Sequence, residues 1–110
     1  SETRGLIGRE VLSECRNAVL INTGRGEVVD ESLLPHALDA GWLAGAALDV
    51  FAVEPLPAAS PLWEDPRVMI SPHISGLSTT EGMVEGFLEC LGEIESGKMP
   101  ARTVDREREY

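Results

Sequence analysis

Positive charge is scarce in this chain of 110 residues. Lys and Arg together number 9 against 19 Asp and Glu, so the formal net charge is -10 at pH 7. Proteins that bind nucleic acid neutralise phosphates with clustered Lys and Arg. The composition therefore argues against nucleic acid as a partner. The main effect expected of the negative charge is to keep the protein soluble.

Cysteine and long apolar runs are scarce too. Cys15 and Cys90 lie far apart, outside any C-x-x-C pattern and without neighbouring histidines. We therefore expect reduced structural thiols in a cytoplasmic protein, and no metal site. No apolar run approaches the roughly 20 residues of a membrane-spanning helix, so no membrane partner is expected. No signal peptide is visible, and the chain begins with Ser1, which suggests a piece of a longer protein.

Apolar runs alternate with amphipathic segments along the chain. The run Ala18–Asn22 is continuous, which is typical of a strand buried on both faces of a parallel sheet. Further strands are predicted over 43–50 and 67–71, and helices over 8–15, 30–40 and 79–96. Strands that alternate with helices predict an α/β fold with a parallel sheet. Three strands are few for such a sheet, so an edge would stay exposed unless more chain covers it.

The last predicted helix has an apolar face and a candidate N-terminal cap. Ser78 and Glu81 have the spacing of a capping box. The apolar face comprises Met83, Val84, Phe87, Leu88, Leu91 and Ile94. Glycines within this helix weaken it relative to alanine, and they leave room for close packing against a neighbour. The tail 101–110 is charged and is expected to be irregular.

Ligands of open parallel sheets bind at the carboxyl ends of the strands. Arg25 follows the first predicted strand and stands between two glycines. A guanidinium pairs with a carboxylate through two hydrogen bonds, and flanking glycines allow a ligand to come close. Arg25 is therefore a candidate carboxylate-binding residue, with an exposed arginine in a turn as the alternative.

The other two strands also deliver ionisable residues to this edge. Asp49 lies at the end of the second strand, Glu54 follows that strand, and His73 follows the third. Histidine is the usual general acid or base near neutral pH, and a neighbouring carboxylate would stabilise its charged form. A packed or surface histidine and an ordinary loop glutamate are the alternatives. His36 stands within a predicted helix and is expected to be solvated.

Several motifs in one order give the chain a resemblance to the D-isomer-specific 2-hydroxyacid dehydrogenase family. They are Glu2–Gly8 (ETRGLIG), Ile21–Asp30 (INTGRGEVVD), Gly45–Pro57 (GAALDVFAVEPLP), Pro61–Trp63 (PLW) and Ser71–Gly76 (SPHISG). The ending Val104–Tyr110 resembles glyoxylate/hydroxypyruvate reductase-like members of that family. The resemblance implies the second half of a Rossmann-like, doubly wound parallel sheet. Residues 1–100 would be the C-terminal half of an NAD(P)-binding domain, with 101–110 as a tail.

The resemblance also implies a role for each matched position. Arg25 would hold the substrate carboxylate, His73 would be the acid/base, and Glu54 would pair with His73. The cofactor, NAD or NADP, would be contacted by Asn22, Thr23, Gly24, Asp49, His73 and Gly76. The implied reaction transfers a hydride between the cofactor and a small 2-oxo or 2-hydroxy acid, such as glyoxylate or hydroxypyruvate. The full-length protein would be a homodimer.

One expected feature of such a dehydrogenase is missing. No segment matches G-x-G-x-x-G, the motif that binds the cofactor pyrophosphate. We therefore expect that the chain is a fragment that is inactive alone. Two other classes stay open: a non-catalytic, corepressor-like binding protein on the same scaffold, and a structural or dimerisation module that uses the last helix.

Overall fold

The computed structural model describes residues 2–76, 78–104 and 107. Its contacts divide the chain into two compact units, Glu2–Gly76 and the part that follows it. In the described part of the chain, no helix combines the length and the apolar character that crossing a membrane requires.

The unit Glu2–Gly76 contains a parallel sheet of three strands. The strands are β1 (Ala18–Asn22), β2 (Leu43–Leu48) and β3 (Val68–Ile70), in the order β1-β2-β3, and both pairings are parallel. The alternation of helices and strands along the chain confirms the predicted α/β class.

Two short α-helices flank the first strand in sequence, α1 (Arg9–Glu14) and α2 (Leu34–Asp39). A continuous helix was predicted over 30–40, but a 3-10 turn, Glu31–Leu33, precedes α2. Proline is favoured in the first helical turn, where its missing N–H leaves no bond unmade. Pro35 lies in that turn of α2 and thus sets the start of the α-helix. Gly41, at φ 71°, follows the end of α2.

His36 of helix α2 is exposed, as expected from the sequence. Its ring also packs edge-on against Trp42, with 4.9 Å between the ring centroids.

The core lies on one face of the sheet. Its fully buried side chains include Leu12, Leu34 and Leu48, and Leu20 and Ile70 pack against them. Successive residues of a strand point to opposite faces, so Val19, Ile21 and Met69 face the other way, with 64%, 68% and 71% of their surface exposed. The prediction that Ala18–Asn22 is buried on both faces is therefore wrong for this chain: both faces are apolar, but only one is covered.

The second unit contains α3 (Thr80–Glu95). Its cap is Thr79, whose hydroxyl accepts a hydrogen bond from the backbone N–H of Gly82 at 3.1 Å. The predicted capping box of Ser78 and Glu81 is wrong by one residue, because Thr79 is the last extended residue before the helix. The predicted apolar face exists and is exposed.

The predicted tail is described only in part. Residues 101–104 contain neither helix nor strand, and most of the segment that resembles reductase-like family members lies outside the described residues.

The one-sided core predicts different costs for two neighbouring substitutions. Leu48→Ala is expected to lower the free energy of unfolding by about 2–5 kcal/mol, because it leaves a cavity in the core. Ile21→Ala is expected to lower it by less than about 1 kcal/mol, because that side chain is already in solvent. Urea unfolding followed by circular dichroism measures both. Equal losses would contradict a one-sided core.

Candidate active site at the carboxyl edge of the sheet

Because of the register of the sheet, the loops that follow its three strands begin side by side at one edge. Asn22, Leu48 and Ile70, the last residues of the three strands, are direct partners across the sheet. The chain therefore leaves all three strands at the same edge. The loops that begin there carry Arg25, Glu54 and His73.

The loop after β1 is held by the side chain of Asn22. Its amide nitrogen donates to the Arg25 carbonyl at 3.0 Å, and its amide oxygen accepts from Gly24 N–H at 3.2 Å. The exposed Arg25 guanidinium donates to the Gly24 carbonyl at 3.0 Å. These two hydrogen bonds from one side-chain amide to the backbone fix the loop. The backbone of Arg25 is therefore held in place, while its guanidinium stays accessible to an anion.

At Gly26, this loop packs closely against the loop that follows β2. A Cβ at Gly26 would lie 1.9 Å from the carbonyl carbon of Phe51, so only glycine allows this approach of two backbones. The Glu31 carboxylate accepts a hydrogen bond from Ala52 N–H on the same loop. The position of Arg25 is thus coupled to the loop that carries Glu54.

Glu54 and His73 form a hydrogen-bonded pair. Nδ1 of His73 lies 2.9 Å from one oxygen of Glu54, and the other oxygen accepts from Phe51 N–H at 2.9 Å. The bond to His73, followed by the bond from Phe51, lowers the pKa of Glu54 below its ordinary value of 4.5. Because Nδ1 faces Glu54, Nε2 is the ring nitrogen left for another partner.

Asp49 is the buried charge of the site, with 3% of its surface exposed. Its Oδ1 accepts from the Ser71 hydroxyl at 2.5 Å and from Ile74 N–H at 3.0 Å. Its Oδ2 accepts from the hydroxyl and the N–H of Ser75, at 2.6 and 2.9 Å. The bonds from Ser71 and then Ser75 hold the pKa of Asp49 well below its usual range, against the opposing effect of burial.

A cavity of about 610 Å³ opens beside these groups. Its lining combines apolar side chains with the ionisable pair: Asp49, Phe51, Glu54, Pro55, Leu56, Trp63, Ile70, Ser71, Pro72 and His73. Arg25 is outside this lining, on the adjoining loop. A mostly apolar cavity with a few converging polar groups is typical of a small-molecule site.

Comparison with known proteins agrees with this architecture. Residues 1–75 match the family described as "D-isomer specific 2-hydroxyacid dehydrogenase, NAD binding domain". This chain belongs to that family.

Solved structures of family members superpose on nearly all of the chain. The D-isomer specific 2-hydroxyacid dehydrogenase of Xanthobacter autotrophicus Py2, in complex with NADPH and MES, is 43% identical, with a TM-score of 0.90. The superposition covers 99% of this chain and 46% of that protein. The NADPH-dependent glyoxylate/hydroxypyruvate reductase of Sinorhizobium meliloti, in complex with NADP and sulfate, is 32% identical, with a TM-score of 0.86 and coverage of 99% and 36%.

A third family member extends the comparison. A probable 2-hydroxyacid dehydrogenase of Rhizobium etli CFN 42, in complex with NADP, HEPES and L(+)-tartaric acid, is 35% identical, with a TM-score of 0.81. Here the coverage is 99% of this chain and 36% of that protein. The chain thus spans less than half the length of these family members.

Sequence reasoning named the ionisable residues of this site and missed what holds them. Ser71 and Ser75 lie within a motif that was recognised, but no role was predicted for their hydroxyls. The sequence shows a serine two residues before His73 and another two residues after it. Their role as hydrogen-bond donors can be inferred only once Asp49 is known to be buried beside them. Gly26 was expected to let a ligand come close to Arg25, whereas here it lets the backbone of Phe51 come close.

The two glycines beside Arg25 are expected to differ in tolerance. Gly26→Ala should lower the free energy of unfolding by about 1–3 kcal/mol or more, because the added methyl overlaps the Phe51 backbone. Gly24→Ala is the matched control: its Cβ would meet only the Asn22 side-chain oxygen at 3.9 Å, and the expected change is about 0.5 kcal/mol or less. Thermal unfolding measures both, and a Gly26→Ala protein as stable as the control would refute the close approach.

The Glu54–His73 pair predicts a pH-dependent stability. Since the pKa of Glu54 is lowered on folding from 4.5, its contribution is complete above that pH and is lost as the pH falls through the folded-state value. The urea midpoint of the wild type should exceed that of Glu54→Gln most above about pH 5 and converge with it in acid. Glu85→Gln, on α3, controls for loss of one charge. A gap that widens in acid would have the wrong sign.

Proposed function

We propose that this chain is the catalytic part of an NAD(P)-dependent dehydrogenase that reduces a small 2-oxo acid to the 2-hydroxy acid. The observation that carries the proposal is the Glu54–His73 pair at 2.9 Å, at the sheet edge to which the loop of Arg25 also belongs. Membership in the family supports the reaction class. The Sinorhizobium reductase supports glyoxylate and hydroxypyruvate as the first substrates to test.

In this proposal each of three side chains has one task. Arg25 binds the substrate carboxylate through its guanidinium fork. His73 donates a proton from Nε2 to the carbonyl oxygen as negative charge develops there. Glu54 accepts the bond from Nδ1, orients the ring and stabilises its charged form.

The proposal places the nicotinamide end of NAD or NADP along the same edge. When bound, the cofactor supplies the hydride that goes to the carbonyl carbon. The side chains and backbone of Asn22, Thr23, Gly24, Asp49, His73 and Gly76 would line it. Open space supports this: a Cβ at Gly24 would meet its nearest atom at 3.9 Å, and one at Gly76 would meet nothing within 4 Å.

Location and assembly are part of the proposal. Both cysteines, Cys15 and Cys90, are free thiols, which supports a reducing compartment such as the cytoplasm. The exposed apolar face of α3 is the kind of surface that further polypeptide covers. It supports a homodimer as the assembly of the full-length protein.

A chimera tests the proposed function. The chain would replace the matching 46% of the Xanthobacter protein, and reduction of glyoxylate and hydroxypyruvate would be followed with NADH and NADPH. We expect turnover, with His73→Ala lowering it by about a hundredfold or more. Arg25→Ala should mainly raise KM, because the carboxylate loses its partner.

His36→Ala is the matched control, because it removes the chain's other imidazole, which packs on Trp42. Its turnover should equal that of the parent chimera. A folded chimera that binds NADPH but reduces neither acid would count against these substrates. Undiminished turnover in His73→Ala would remove His73 from the mechanism.

A further inference from the structure

His73 occupies a backbone conformation that it would not choose alone. Its φ is 55°, in the left-handed region, and it is not a glycine. L-residues seldom adopt this region, although histidine does so more often than most, and the conformation persists where surrounding contacts hold it. Something in the chain must therefore fix the segment around His73.

The holding contacts lie on both sides of His73 and converge on one carboxylate. Ser71, two residues before it, and Ile74 and Ser75, directly after it, all donate to Asp49, at distances of 2.5 to 3.0 Å. Asp49 itself is fixed at the end of β2, where its N–H donates to the Asn22 carbonyl at 2.9 Å. The segment is thus tied to the sheet before and after the histidine.

The four bonds use the whole accepting capacity of the carboxylate. An ionised carboxylate has about four lone-pair sites on two oxygens, and each Asp49 oxygen here accepts two bonds. A donor from a bound cofactor would have to share an oxygen with one of them. In this chain, Asp49 therefore acts first as the hydrogen-bond acceptor for the segment around His73.

We propose that Asp49, Ser71 and Ser75 form a clasp that holds His73 at positive φ and so aims its Nδ1 at Glu54. The three are positioning residues, and the inference deepens the proposed function, on which it rests. Glu54 is held separately, through Phe51 N–H at 2.9 Å. The ring and its partner thus meet because two independent sets of bonds place them.

The tautomer of His73 reports the clasp without any activity measurement. In alkaline buffer a neutral imidazole carries one proton, and the hydrogen bond made by one nitrogen decides which of them has it. With the clasp intact, Nδ1 should carry the proton and donate it to Glu54. Nitrogen-15 NMR of the ring distinguishes the two tautomers, and the chain has only two histidines to assign.

The test compares alanine and threonine at the two serines. We expect the Nδ1–H form in the wild type and its loss in Ser71→Ala/Ser75→Ala, where His73 should revert to the Nε2–H form of free histidine. Ser71→Thr and Ser75→Thr keep the hydroxyls and should keep the wild-type tautomer. Ser13→Ala, at a half-buried serine of α1 whose hydroxyl donates to the Glu10 carbonyl at 3.4 Å, should leave the tautomer unchanged.

Signals of the core methyl groups and of His36 report folding in each variant. If the double variant does not fold, Ser75→Ala alone removes one hydroxyl and should still shift the tautomer. A folded double variant that retains the Nδ1–H form would overturn the clasp, and so would a wild type that lacks it. A chimera that fails to reduce 2-oxo acids while the tautomer behaves as expected would instead overturn the proposed function.

Discussion

The buried carboxylate of Asp49 links the sheet to the candidate site. Its backbone N–H extends the pairing of β1 with β2, since it donates to the Asn22 carbonyl. Its side chain binds the segment after β3, from Ser71 to Ser75. A buried charge is tolerated only where hydrogen bonds replace water. The same bonds that make Asp49 acceptable inside the protein therefore also fix the loop that carries His73.

The fold class was predictable from the sequence, but which faces of the sheet are buried by other parts of the chain was not. Apolar runs and their spacing indicated three strands and a parallel sheet, because buried strands need apolar side chains wherever they face protein. In β1 both faces are apolar, yet Leu20 packs on the core and Ile21 is exposed. A pattern reports which faces are able to be buried. What covers them depends on contacts that the pattern of one segment does not contain.

The candidate site was predictable to a similar degree. Residue type made Arg25, Glu54 and His73 candidates, because few side chains bind a carboxylate or transfer a proton near neutral pH. The family resemblance gave each a role, and the structure brings Glu54 and His73 into contact. The supports were not predictable, because they depend on geometry. The role of Ser75 follows from the positive φ of His73 and the burial of Asp49, and that of Gly26 from a close approach to Phe51. Neither has a signature in composition or spacing.

The charge of the site explains why the loop after β1 matters. A 2-oxo acid is an anion, the chain has a net charge of -10, and the cavity already contains the carboxylates of Asp49 and Glu54. Such a site repels its proposed substrate unless a cation compensates. Asp49 is neutralised in part by four donors and Glu54 by His73, which leaves the substrate carboxylate to Arg25. The close approach of Gly26 to Phe51 joins that loop to the one that carries Glu54. In the proposed reaction, the loop held by Asn22 and Gly26 therefore supplies the positive charge for the substrate carboxylate, and the Glu54–His73 pair supplies the proton.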